Sequence, residues 1–108
     1  FVGRMTREDR DATVFAERQF FETAVSRVQD GRYGLLILDE AIGAMEYGFL
    51  QTDRVLQFLS HRPPTLETVL TGRNPPRGLL AVADYISEIQ CVRHPFQRGI
   101  PARIGIEK

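Results

Sequence analysis

Two acids follow a run of four aliphatic residues: Leu35-Leu36-Ile37-Leu38, then Asp39-Glu40. A buried strand that ends in carboxylates holds them rigidly at its tip. There Asp39 can ligate Mg2+ directly or through water, and Glu40 can share the metal or orient a reacting group. The same six residues also describe an ordinary strand ending in solvated acids, and the pair alone does not separate these readings. Thr71-Gly72-Arg73-Asn74 is a second group. Gly72 permits a sharp turn or a close backbone approach to a ligand. Arg73 is a fixed cation suited to phosphate or carboxylate, and Asn74 can cap a following helix. The bland alternative is a strand-to-helix turn with a surface arginine. His94-Pro95-Phe96 is a third group, and a histidine beside proline reads first as a loop residue. His61, beside Arg62-Pro63, reads as a helix-end residue facing the carbonyl end of its helix. The two histidines and the single cysteine show no metal-ligand spacing.

These residues need elements to position them. Arg7 to Asp30 has helical periodicity, with Val14, Phe21, Ala24, Val25 and Val28 near one face and Phe20 widening it. Thr6 can cap it with Asp9 in the capping-box place, and Asp30-Gly31 is a stop signal. Arg7, Arg10 and Arg18 read as a solvated face of this helix. Tyr33 to Asp39 reads as a strand; its apolar run does not alternate, which predicts cover on both faces and a parallel sheet. Ala41 to Leu50 is a loop or short helix. Thr52 to Ser60 is an amphipathic helix, started near Thr52 or Asp53 and ended by Pro63-Pro64. Thr65 to Leu70 is a second strand, Arg77 to Ala83 a helix that follows Pro76, and Asp84 to Val92 a third strand in which Cys91 is a small apolar residue. Helix and strand alternate, so right-handed crossovers make the strands parallel. In such a sheet the loops beyond the carboxyl ends of the strands carry function. That places Asp39-Glu40, Thr71 to Asn74, and Arg93 to Phe96 on one rim.

The chain has 108 residues, enough for a single domain spanning 1–108. Fourteen basic and 14 acidic residues cancel to a formal net charge of zero, which excludes a strongly basic nucleic-acid footprint. Thirteen of the basic residues are Arg and only Lys108 is Lys, so neither a Schiff-base lysine nor a phosphate-loop lysine is available. One cysteine excludes an internal disulfide and any multi-cysteine metal site. No stretch is long and apolar enough to span a bilayer, and no secretory signal layout is present. The expectation is a cytoplasmic protein with no membrane or nucleic-acid partner.

Leu35 to Glu40 has the form of a Walker B segment. With Met45-Glu46-Tyr47-Gly48-Phe49-Leu50, Arg62-Pro63-Pro64 and Val69-Leu70-Thr71-Gly72-Arg73-Asn74, it resembles the ATP:corrinoid adenosyltransferases of the bacterial biosynthetic type. Ala83-Asp84, Ser87-Glu88, His94-Pro95-Phe96, Gly99-Ile100 and the closing Ala102 to Glu107 continue the match in order. Each motif alone is weak; their order and spacing together are specific.

The resemblance implies a RecA-like P-loop NTPase fold, an α/β architecture with a parallel sheet and flanking helices. It implies transfer of the 5′-deoxyadenosyl group from ATP to the cobalt of a reduced corrinoid, with Mg2+ and loss of triphosphate. It further implies a homodimer and an electron-donor reductase as partner. By the same carry-over, Asp39 and Glu40 are the metal and nucleotide-side acids, and Thr71, Arg73 and Asn74 line the ATP or corrinoid site. Phe1 falls at the first residue of an apolar wedge that displaces the lower axial ligand of the corrinoid. The wedge's second position, a Trp in relatives, is Gly3 here, with Met5 as a substitute. Relatives carry a Gly-rich phosphate loop upstream of the position of Phe1, and this sequence has none, so the expectation is the carboxyl-terminal portion of such an enzyme. Two other readings stay open: a non-catalytic homologue that binds corrinoid or nucleotide, and a fragment of another P-loop ATPase.

Overall fold

The computed structural model describes residues 6–93. Helix α1 spans Arg7–Val28. Its start is fixed locally: Thr6 is the N-cap, and the Asp9 backbone N–H donates to Thr6 Oγ1 at 3.0 Å. Glu8 and Asp9 in the first turn and Arg27 in the last complement the helix dipole. Only the carboxyl-terminal half buries a face, through Phe21, Val25 and Val28; Phe20 does not widen it but points to solvent, 79% exposed.

Strand β1, Leu35–Leu38, leads through helix α2, Ala41–Glu46, and helix α3, Thr52–His61, to strand β2, Glu67–Leu70; helix α4, Arg77–Val82, follows. The two strands are parallel, in the register Leu35↔Glu67 to Leu38↔Leu70. Parallel neighbours require a crossover connection, and α2 and α3 supply it. Val55 and Phe58 of α3 pack inward, and Phe58 meets Phe21 edge to face with centroids 5.9 Å apart. Arg54 of α3 grips Glu22 of α1 with both ends of its fork, at 2.8 and 2.7 Å, and its guanidinium lies over the Phe21 ring. The Glu22 carboxylate holds the Arg54 pKa above its ordinary value. Pro63-Pro64 stops α3, and Arg62 turns back to donate to the Leu59 carbonyl at 2.7 Å.

Four expectations from sequence need correction. Among the described residues the sheet has two strands, not three. Asp84 to Val92 lies outside regular structure, with Tyr85 and Ile89 each 93% exposed and Cys91 exposed as well. Strand propensity becomes a strand only where it pairs, and that segment pairs with no strand among the described residues. Second, β1 is not covered on both faces. Leu36 and Leu38 pack on the core, while Leu35 and Ile37 are 54% and 58% exposed and Val69 on β2 is 42% exposed. Among the described residues the helices lie against one face, and the apolar run is covered on that side only. Third, the face with Arg10 and Arg18 is largely exposed, as expected, but these two arginines are not free in solvent. Arg10 donates to the Tyr47 carbonyl at 2.7 Å, and Arg18 donates to the carbonyls of Phe49 and Gly48 at 3.2 and 3.3 Å. The exposed half of α1 is thereby tied to the segment after α2. Fourth, Asn74 does not cap the next helix; Pro76 is the N-cap of α4 and no side chain bonds there.

Candidate functional site at the strand tips

The parallel register pairs Leu38 with Leu70, so the next residues on each strand, Asp39 and Thr71, emerge side by side. The ladder carries one bond past the strands, from the Thr71 N–H to the Leu38 carbonyl at 3.3 Å. The Thr71 hydroxyl then joins both acids. It donates to Asp39 Oδ1 at 2.8 Å and accepts from the Glu40 backbone N–H at 2.9 Å. The Thr71 carbonyl accepts in turn from the N–H of Ile42, at 3.1 Å, in the first turn of α2. One threonine therefore binds the end of β1 and the start of α2 to the end of β2.

The backbone here is unusual. Glu40 and Asn74 are the non-glycine residues with positive φ among those described, at 59° and 54°. Both lie just beyond a strand tip, and such conformations cost about 1–3 kcal/mol unless the surroundings enforce them. Gly72, at φ 142°, is packed so closely that a Cβ would stand 2.7 Å from Ile42 Cβ and 3.1 Å from the Gly43 N. The loop after β2 can lie on α2 only because residue 72 has no side chain. Asn74 reaches across with its amide, which donates to Glu46 Oε1 at 3.4 Å.

The structure thus brings together Asp39, Glu40 and Thr71; Asn74 is joined instead to Glu46 at the far end of α2, and Arg73 is exposed on the loop between. Sequence reasoning missed Glu46 and the bridging role of the Thr71 hydroxyl. The register of two parallel strands, extended by one residue, is the signal for the second; nothing in the spacing signals the first. Arg93 is exposed and does not end a strand, so it does not join the rim. Phe1, Gly3, Met5, His94 and Phe96 lie outside the described residues. Two surface depressions, of about 350 and 230 Å3, lie elsewhere: one on the outer face of α1 near Phe15, the other between α1 and α3 near His61.

The rim suits a partly protein-bound Mg2+. Among the described residues no cluster of three or more His, Cys, Asp or Glu side chains could enclose a metal. Mg2+ does not need one; it is commonly held by one or two carboxylates, with substrate phosphates and water completing its octahedron. Asp39 is exposed, with Oδ1 engaged by Thr71 and Oδ2 without a hydrogen-bond partner among the described residues. A fixed carboxylate with one open oxygen meets that requirement.

Parallel strands joined through helices, with carboxylates at their shared carboxyl end, define an α/β protein. The sequence model of one family, described as ATP:corrinoid adenosyltransferase BtuR/CobO/CobP, matches residues 1–107, and the chain belongs to that family. A corrinoid adenosyltransferase from Sinorhizobium sp is 35% identical over 101 residues, covering 93% of this chain and 47% of the relative. One from Pseudomonas aeruginosa is 34% identical over 100 residues, covering 93% of this chain and 49% of the relative. One from Escherichia coli K12 is 32% identical over 100 residues, covering 93% and 51%. The chain spans about half the length of these curated relatives. No helix among the described residues is long and apolar enough to cross a membrane.

Proposed function

We propose that this protein serves ATP:corrinoid adenosyl transfer, with Asp39 and Glu40 as its acids toward Mg2+ and the triphosphate. The reading is supported by the Asp39 carboxylate, held by Thr71 at the common end of two parallel strands with one oxygen open. In the reaction, the cobalt of a Co(I) corrinoid attacks the 5′ carbon of ATP. A Co–C bond forms, the C5′–O bond breaks, and triphosphate leaves with the electron pair; the cobalt gives up two electrons. Bound Mg2+ would neutralise charge developing on that leaving group. The chain's own part is to orient. Asp39 presents its open oxygen, Glu40 stands beside it, and Arg73 offers a fixed cation to phosphate. Thr71 and Asn74 shape the loop that would line the nucleotide or corrinoid.

The architecture this reading assigns is RecA-like, as one domain with a phosphate loop supplied by sequence beyond residues 1–108. Phe1 is assigned to the wedge against the lower face of the corrinoid. A homodimer, an electron-donor reductase and a cytoplasmic setting belong to the same reading. The test is to express the protein from its complete gene and supply Mg2+, ATP and chemically reduced corrinoid. Formation of a light-sensitive Co–C bond, lost in D39N while the fold is kept, is the expected result. ATP hydrolysis without alkylation of the corrinoid would overturn the reading in favour of an ordinary ATPase. Corrinoid binding with no transfer would favour a non-catalytic module.

A further inference from the structure

The Thr71 hydroxyl invites assignment as a ligand-binding group, because it sits on the loop after β2 beside the acids. Its hydrogen bonds argue otherwise. A threonine hydroxyl has one proton, and that proton is directed to Asp39 Oδ1 at 2.8 Å. One of its lone pairs takes the Glu40 N–H at 2.9 Å. Both contacts cross from one strand to the other, 32 and 31 residues apart in sequence. The residue itself is anchored on both sides, by its N–H to Leu38 and by its carbonyl to Ile42. Gly72 follows it in a conformation that no side chain could share without striking Ile42.

From this we infer that Thr71 is a positioning residue: it sets the aim of the Asp39 carboxylate and the left-handed backbone of Glu40, and does not itself contact the nucleotide. By holding Oδ1, it leaves Oδ2 as the oxygen presented to the cation. By accepting the Glu40 N–H, it satisfies the donor that a left-handed residue ahead of α2 leaves unpaired, and so stabilises that conformation. The acid pair belongs to β1, but its geometry is dictated from β2. The part of this inference that concerns a cation rests on the function proposed above; the part that concerns geometry does not.

The two parts are tested separately, on protein expressed from its complete gene. The geometric part is read by amide hydrogen exchange at Glu40. T71V removes the hydroxyl at nearly constant volume, and exchange at Glu40 should accelerate at least about tenfold, whereas T71S should restore protection. Unchanged protection in T71V overturns the inference. The cation part is read by Mn2+–ATP affinity, with Mn2+ as the paramagnetic probe. T71V should weaken it about tenfold, the usual scale for loss of a group that orients a metal-binding carboxylate. In a D39N background T71V should add nothing further, because its effect runs through Asp39. An additive loss would mean that Thr71 touches the ligand itself and would overturn the inference. If D39N alone leaves Mn2+–ATP affinity unchanged, the metal reading fails, while the exchange result still decides the geometric part. If T71V and T71A both fail to fold while T71S folds, Thr71 is a folding residue and the inference is overturned.

Discussion

Gly72 lies against Ile42 so closely that a Cβ on residue 72 would stand 2.7 Å from Ile42 Cβ. The neighbour is branched and packed in the core, and the Gly43 backbone N is only 3.1 Å from the same point, so neither yields easily. The φ of 142° adds strain for any L residue. We expect G72A to cost about 2–3 kcal/mol, the sum of an enforced backbone conformation and local overpacking. Chemical denaturation measures it. Because Thr71 is the adjacent residue, the same variant should also accelerate amide exchange at Glu40. A cost below about 0.5 kcal/mol, the scale of a neutral surface change, would show that the loop can lift off α2.

Much of this arrangement was legible before the fold, and the reasons divide by range. Thr6 and Asp9 are three residues apart, and their capping bond needs only a helix between them. Leu35 to Leu38 forms the expected strand in a parallel pair, although the cover on both faces that its unbroken apolar run predicts does not hold among the described residues. With β1 and β2 parallel, Asp39-Glu40 and the loop that starts at Thr71 leave from the same end of the sheet. What stayed hidden depends on partners distant in sequence. Arg10 and Arg18 look like any solvated arginines until carbonyls 30 to 37 residues away come beneath them. Asn74 looks like a helix cap, but Glu46 takes its amide. Asp84 to Val92 shows the opposite failure: Ile86, Ile89 and Val92 favour a strand, yet the segment pairs with no strand among the described residues, and propensity without pairing leaves it exposed.

Glu40 offers a direct separation of stability from function. Its φ of 59° and ψ of 17° put it in the left-handed region, where a glycine is at ease and a glutamate is not. E40G should therefore be neutral to about 1 kcal/mol more stable by thermal denaturation, while E40Q keeps the backbone strain and should leave stability nearly unchanged. Both variants remove the carboxylate, and both should reduce adenosyl transfer far more than they alter folding. Full activity in E40G would mean that the carboxylate has no part in the reaction and that Glu40 is merely tolerated at this turn.

The amino-terminal half and the middle of α1 are tied to the segment after α2 by Arg10 and Arg18. Arg18 reaches the Phe49 and Gly48 carbonyls, and Arg10 reaches the Tyr47 carbonyl while its guanidinium lies 5.0 Å from the Phe49 ring centroid. Charged donors to backbone carbonyls contribute about 1–2 kcal/mol where they are partly shielded. We expect R18A to lose about that much stability and to raise amide exchange over the first half of α1. Lysine should not rescue it, since one ammonium does not reproduce two directed N–H groups. Equal protection of α1 in R18A and the parent would show that the helix holds its place without the clamp.

The last expectation runs toward greater stability. Thr68 lies on β2 opposite Leu36, and its Oγ1 is buried without a hydrogen-bond partner among the described residues. Leaving a buried hydroxyl unpaired costs about 1–3 kcal/mol, while the methyl of the same side chain is well placed in a sheet. Valine has the same branched shape and no polar atom. T68V should raise stability by about 1 kcal/mol, seen as an upward shift of the thermal midpoint. It should leave the Asp39–Thr71 bond untouched, because residue 68 lies three positions back from Thr71 along the strand. A drop in stability would mean that the hydroxyl has a bonding partner in solution, a water or a residue outside those described, and that its apparent isolation is not a cost the protein bears.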